Sequence, residues 1–523
     1  MRRTTAENQI EASGADERFR LVRDTVLNYS GVLVSALLGF VTVPFLLRGL
    51  GTDAYGSWIA ALALAGILGA FDFGMEWALT REVAEASSAG DRAKAAPFVR
   101  SSAVLYFLLG VAGALLIACM GVPLGRLLGT RSNGHIFLPG IFGLVGLSLC
   151  ASHLSRFSSC VLEGMRQFDL TNALTIAAAV LRSAGSILLI VCGAGLLPIA
   201  IWYTGVGVLT ALAGLVLVAT IEPRFLGTSL MSLAEAGKHF RFGFMSQMNA
   251  LFTKIVWESG PVLLAVFAGP SAVVALHVGQ RFPSVLSLIG DRVGGVIFPA
   301  ASEVAQDRDR GREAALLQFG TRGVLIVALP ACAVFWVFAP VLLNAWIPGV
   351  KPASILIARI GSLAVLLDAF ATTAVHMLWG KGRIAKLTAV SAFSAVIMLA
   401  VTAALAQSLA AVGAGIAFLV AITAGTLLSI SFECLDAEVK PLDLLSPDIR
   451  KLMLLTLATA GCAAAALAVV PHTWYGLITA GGIAVLLYGF GFLAFAADSH
   501  EKQIFRRLVC LFSIPRGMIR PRP

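Results

Sequence analysis

Charge is scarce in this chain. Only 13% of its 523 residues are Asp, Glu, Lys or Arg, against about 25% in soluble domains. With 58% hydrophobic residues and a mean hydropathy of +0.87, the chain is excluded from the soluble class, and little is left over for a soluble domain. Paired cysteines are lacking too. The eight, at 119, 150, 160, 192, 332, 434, 462 and 510, form no Cys-x-x-Cys pair and mostly lie inside apolar runs. They read as small core residues, not as metal ligands or disulfides. Residues 1–19 lack the short apolar core of a cleavable signal, so the first spanning helix is expected to direct insertion. Long outer loops are also missing: the longest runs from Arg126 to His135 and holds no nucleophile–base pair or metal motif, so no catalytic site is expected.

What the chain does have is a succession of apolar runs. Taking runs of about 20 residues as spans, there are fourteen: 25–47, 54–76, 101–123, 136–160, 170–193, 197–219, 242–267, 271–298, 321–345, 353–378, 386–407, 410–432, 449–470 and 474–497. The expected fold class is therefore an all-α polytopic membrane protein. Charge placement tests the count. With fourteen spans, the side of the termini collects 29 Lys and Arg, while the other holds only Arg48, Arg126, Arg131 and Lys351. The positive-inside rule makes the first side cytoplasmic, with both termini there. It also explains the net charge of +10 without nucleic acid.

The remaining six basic residues, Arg156, Arg182, Lys254, Arg281, Arg292 and Arg359, fall inside spans, as do the acids Asp72, Glu76, Glu258, Asp291 and Asp368. A charge at mid-membrane costs about 2.5–3.5 kcal/mol, so such groups face protein or a water-filled cavity. The hairpin 241–300 concentrates them. Lys254 and Glu258 share a helical face with Gln247 and Leu251, and His277, Arg281, Ser284, Leu288 and Asp291 follow the same three-or-four rhythm. This hairpin reads as a wall of a polar cavity. Asn172, Thr175, Arg182 and Ser186 make a second polar stripe, and His153, Arg156 and Cys160 a third. Structural ion pairs and snorkelling at helix ends are the competing explanation, strongest for Arg359 and Glu76.

An internal repeat organises the whole. Residues 46–84 (LLRGLGTDAYGSW…REVA) parallel 263–305 (LLAVFAGPSAVVAL…SEVA), and LEGMRQF at 162–168 parallels LWGKGRI at 378–384. Spans 1–6 (25–219) and 7–12 (242–432) thus read as two parallel copies of a six-helix unit joined by the linker 220–241. Two further spans (433–497) follow, and cytoplasmic tails occupy 1–24 and 498–523. In transporters built from such repeats the substrate path runs between the halves.

The segments LLRGLGTDAYGSWIAALALAGILGAFDFGM, GPSAVVALHVGQRFPSVL…FPAASEVAQDRDR, LLNAWIPG and LAAVGAGIAFLVA, in this order, resemble the polysaccharide-biosynthesis oligosaccharide flippases. These form part of the multidrug/oligosaccharidyl-lipid/polysaccharide exporter superfamily. The resemblance implies a 14-helix, two-lobed, V-shaped carrier of the bacterial inner membrane that is not an enzyme and works by alternating access. Its cargo would be an oligosaccharide on undecaprenyl pyrophosphate, moved to the periplasmic leaflet for O-antigen or exopolysaccharide assembly. Partners so implied are that lipid-linked glycan, membrane lipids, a polysaccharide polymerase and a chain-length regulator. The family's cationic lumen points to Arg281, inside a matching motif. Arg156, Arg182, Lys254 and Arg292 join it on the face argument alone. Asp72, Glu258, Asp291 and Asp368 would be counter-charges or would carry a coupling proton or sodium ion; no other cofactor is expected. Three other functions compete: a lipid II flippase, a multidrug/cation antiporter, and a membrane enzyme such as a polymerase or ligase. The excess of basic over acidic intramembrane residues disfavours the antiporter, and the short outer loops disfavour the enzyme.

Overall fold

The computed structural model describes residues 2–129, 138–225, 227, 233–295, 297–307, 309–470, 473–498 and 501–502. Among them there are no strands. Fourteen α-helices follow one another: α1 Arg2–Leu68, α2 Met75–Ser88, α3 Ala96–Gly129, α4 Leu138–Gly164, α5 Phe168–Val191, α6 Leu196–Ile221 and α7 Leu233–Phe267. The series continues with α8 Pro270–Gly295, α9 Ile297–Asp307, α10 Arg310–Trp346, α11 Pro352–Gly380, α12 Ile384–Asp436, α13 Pro447–Val469 and α14 Trp474–Gly491. Eleven helices among the described residues are long and apolar enough to cross a membrane. Two of these hold two spans each, because α1 bends at Gly51 (φ 78°) and α12 at Ala410 (φ 47°). The charged α8 supplies the fourteenth span.

One span boundary differs from expectation. The second span is not continuous to residue 76: α1 ends at Leu68 and α2 starts at Met75, with Phe73 (φ 54°) and Gly74 (φ 75°) between them. A left-handed pair cannot extend a right-handed helix, so the apolar run there holds a break that hydropathy does not register. The eighth span, expected over 271–298, is helical in its described residues, with α8 over Pro270–Gly295 and α9 from Ile297.

The sequence repeat recurs in the backbone. At 162–168 the amides of Arg166 and Gln167 donate to the carbonyls of Glu163 and Leu162, and Arg166 sits at φ 60°. At 378–384 those of Gly382 and Arg383 donate to Trp379 and Leu378, and Gly382 sits at φ 68°. One helix-ending motif is thus used twice. Above each turn a glycine admits a short helix. A Cβ on Gly164 would lie 2.7 Å from Val83 Cβ of α2, and one on Gly380 2.8 Å from Ala301 Cβ of α9. Small residues at such contacts let membrane helices approach backbone to backbone.

By packing, the chain groups into two units, Met1–Arg281 with Ile384–Ala421, and Phe282–Arg383 with Ile422–Pro523. In the first, Met75, Leu79 and Val83 of α2 are buried among Phe98, Tyr106, Phe157 and Val161. In the second, Ile297 and Ala301 of α9 are buried among Leu317, Leu325, Met377, Cys434 and Leu452. This grouping by packing is a different partition from the two sequence repeats.

Candidate functional site

In the first unit, one turn of α1 organises the polar side chains. Tyr55 and Trp58, three residues apart, are buried on the same face. The Tyr55 ring meets His277 edge-on with centroids 5.9 Å apart, and Arg281, one turn beyond His277 on α8, lies near the same Tyr55. The Arg281 guanidinium stands 5.5 Å from the centre of the Phe40 ring. Its fork lies on bare backbone: a Cβ on Gly39 would fall 1.8 Å from Arg281 Nη2. Trp58, in turn, meets Tyr203 of α6 edge-on at 5.3 Å, and Arg182 of α5 rests over that Tyr203 ring at 4.5 Å. Arg182 Nη2 points along Gly207, where a Cβ would lie 3.2 Å away.

Neither arginine has a carboxylate partner among the described residues, and the buried Nε atoms of both Arg182 and Arg281 have no hydrogen-bond acceptor. Both guanidinium groups are therefore held by π faces, an attraction of about 0.5–2 kcal/mol that leaves the charge unneutralised. A planar, permanently charged fork with free donors is the side chain best suited to phosphate and carboxylate oxygens.

The other predicted cations of this unit are placed differently. Arg156 Nη1 donates to Glu76 Oε1 at 2.9 Å, and Lys254 Nζ to Glu258 Oε1 at 2.8 Å. The second carboxylate closes over α1, where a Cβ on Gly66 would lie 1.7 Å from Glu258 Oε2. Asp72 occupies the break between α1 and α2. Its Oδ1 accepts from the Gly74 amide at 3.0 Å and its Oδ2 from the Tyr106 hydroxyl at 3.3 Å. Gln247 Oε1 accepts from that Gly74 amide at 3.2 Å, so α7 is stitched to the break. His153 Nδ1 lies 3.0 Å from the Leu149 carbonyl oxygen, consistent with a histidine serving its own helix.

The second unit holds Asp368, half-buried on α11, and Asp291 and Arg292 on α8, whose side chains lie outside the described residues. Arg359 is structural: its Nε donates to the Trp336 carbonyl at 3.2 Å and its guanidinium covers the Trp336 ring. Sequence reasoning passed over two charge clusters here. Lys381 Nζ donates to Glu313 Oε2 at 2.8 Å and to Glu433 Oε2 at 2.7 Å. Arg322, itself buried, reaches Glu501 at 2.8 Å, Asp448 at 3.2 Å and the Ala496 carbonyl at 2.9 Å. Lys381, Glu313 and Arg322 lie at or beyond the ends of apolar runs, where charge is ordinary. In the first unit the missed residues are Gly39, Phe40, Tyr55, Trp58 and Tyr203. The Tyr55/Trp58 spacing was visible, but aromatic residues in a span are ordinary.

The chain resembles known transport proteins. The "Putative O-antigen transporter" of Shigella flexneri is 22% identical over 341 residues, covering 62% of this chain and 76% of that protein. The succinoglycan biosynthesis transport protein ExoT of Rhizobium meliloti (strain 1021) is 30% identical over 125 residues, 24% of each chain. Among solved structures, the lipid II flippase MurJ in an inward closed conformation matches with a TM-score of 0.70 at 13% identity, covering 93% of this chain and 100% of that one. An inward-facing multidrug resistance MATE transporter of the MOP superfamily matches with a TM-score of 0.59 at 16% identity, covering 79% and 94%. At these identities the structures establish a shared fold. Residues 21–305, more than half of the chain, match the model of the polysaccharide biosynthesis protein family, and the chain belongs to that family.

Proposed function

We propose that this protein is a flippase. It carries an oligosaccharide repeat unit on undecaprenyl pyrophosphate from the cytoplasmic to the periplasmic leaflet of a bacterial inner membrane, and so feeds cell-surface polysaccharide assembly. Family membership and the names of the relatives support transport in polysaccharide biosynthesis over catalysis. The observation that carries the cargo assignment is the holding of Arg182 and Arg281 by aromatic rings instead of carboxylates. A ring fixes a guanidinium without consuming its charge or its donors, so both remain available to a pyrophosphate diester, which carries a negative charge on each phosphorus. At low dielectric such contacts are worth more than in water.

Arg156 and Lys254, neutralised by Glu76 and Glu258 in this state, act as reserve cations that open toward acidic sugars as the cargo advances. Arg292 completes the basic set, with Asp291 and Asp368 as counter-charges. The lipid tail stays in the bilayer while the two six-helix repeats alternate access to either side. A proton or sodium ion on Asp72, Glu258, Asp291 or Asp368 drives the return.

The experiment is complementation of a strain lacking its own flippase. Arg182→Ala and Arg281→Ala each abolish polymer export at unchanged protein level, and the Lys variants retain part of it. Export unaffected by both Ala variants removes these arginines from the cargo site. A lipid II cargo is the second reading, favoured by the fold likeness over the full length of the lipid II flippase structure. Rescue of a strain depleted of its lipid II flippase, without rescue of polymer export, would select it.

A further inference from the structure

The ion cluster around Lys381 is out of balance, and the imbalance has a consequence independent of the cargo. Lys381 caps α11, Glu313 lies in the first turn of α10, and Glu433 lies in the last turn of α12. The Lys381 ammonium is bonded to both carboxylates, at 2.8 and 2.7 Å. All three side chains are withdrawn from solvent: 4% of Lys381, 13% of Glu313 and none of Glu433 is exposed. Two acids therefore share one base. The charged neighbours do not correct the deficit, because Asp436 on the same helix is paired with Arg383, and Glu438 beyond it with Arg310. Glu433 Oε1 is itself buried and has no hydrogen-bond partner among the described residues.

We infer that Glu313, Lys381 and Glu433 form a proton-binding site, in which Glu433 holds one proton at neutral pH and the triad is thereby uncharged. An unpaired carboxylate so deeply buried costs more than its protonation from neutral solution. The helix dipoles decide which acid takes the proton. Glu313 stands at a helix N-terminus, where negative charge is favoured, and Glu433 at a helix C-terminus, where it is disfavoured. Protonated, the triad joins three helix ends on the face that the charge bias of the loops predicts to be cytoplasmic. Deprotonated, it leaves a fixed negative charge inside the bundle and loosens those ends. This makes it a proton-sensitive joint within the second unit.

The test is infrared spectroscopy of the purified full-length protein in detergent and in proteoliposomes at neutral pH. The wild type shows a protonated-carboxyl stretch that shifts on deuteration and disappears on alkaline titration. Glu433→Gln lacks this band because the titrating group is gone. Glu313→Gln lacks it too, since the remaining Lys381–Glu433 pair is balanced and Glu433 stays ionised. A purely structural ion pair would not make the loss of one acid remove the proton from the other. A wild-type spectrum without the band, or a band whose intensity either substitution leaves unchanged, overturns the inference. Thermal melting verifies that each variant is folded, and Glu313→Gln alone decides should Glu433→Gln fail to fold.

Discussion

In the first unit Arg182 and Arg281 lie on aromatic rings, whereas in the second Lys381 and Arg322 lie on carboxylates. All four are cations in or beside apolar helices, and composition does not separate them. The partner does. A carboxylate consumes the charge and fixes helices to each other, so its cation is committed to the fold. A ring or a bare glycine backbone positions the cation and leaves its charge to be used. Intermediate cases follow the same logic: Arg156 and Lys254 are each paired with a carboxylate, but about half of each side chain is left uncovered by the protein, so packing does not lock these pairs closed.

The comparison is broken most forcefully at Lys381. Lys381→Met leaves two carboxylates facing each other inside the second unit, and removing one partner of a buried ion pair costs about 3–5 kcal/mol. The expected result is a large drop in melting temperature and in membrane yield. A Lys381→Met protein melting like the wild type would show that the triad does not hold the helix ends.

A smaller effect of the opposite kind is expected at the rings. Gly39→Val places carbon where the Arg281 guanidinium lies, and Tyr203→Leu removes the π face under Arg182. A cation–π contact of about 0.5–2 kcal/mol corresponds to a roughly 2- to 30-fold change. Export in complementation assays should fall within that range for Tyr203→Leu, and further for Gly39→Val, with melting temperatures little changed. Loss of folding instead of export would assign these arginines to the structure.

The smallest effect concerns the repeated turn. Arg166 and Gly382 occupy equivalent positions at positive φ, which a residue with a Cβ adopts at a cost of about 1 kcal/mol. Arg166→Gly should stabilise and Gly382→Ala destabilise, each by about 1 kcal/mol, read as opposite shifts in melting temperature. Equal signs would show that the turns are not energetically equivalent.

Much of the fold was legible. Apolar run length gave the spans, and the parallel segments LEGMRQF and LWGKGRI marked two turns that share one backbone geometry. The break at Phe73-Gly74 was hidden, because a left-handed pair inside an apolar run leaves hydropathy unchanged. The candidate site was legible only in kind. Arg182 and Arg281 could be flagged for being charged at membrane depth, yet Asp72 is held by Tyr106 and Arg359 by Trp336, contacts between residues 34 and 23 apart in sequence.

The sequence by itself determined that this chain is a multi-pass, all-helical membrane protein and how many times it crosses. Those properties follow from transfer free energy and local backbone preference, which act residue by residue. Only the tertiary structure decided which buried cations are spent on carboxylates and which are held on rings. That choice depends on what a neighbouring helix presents within a few ångströms, and no local pattern encodes it.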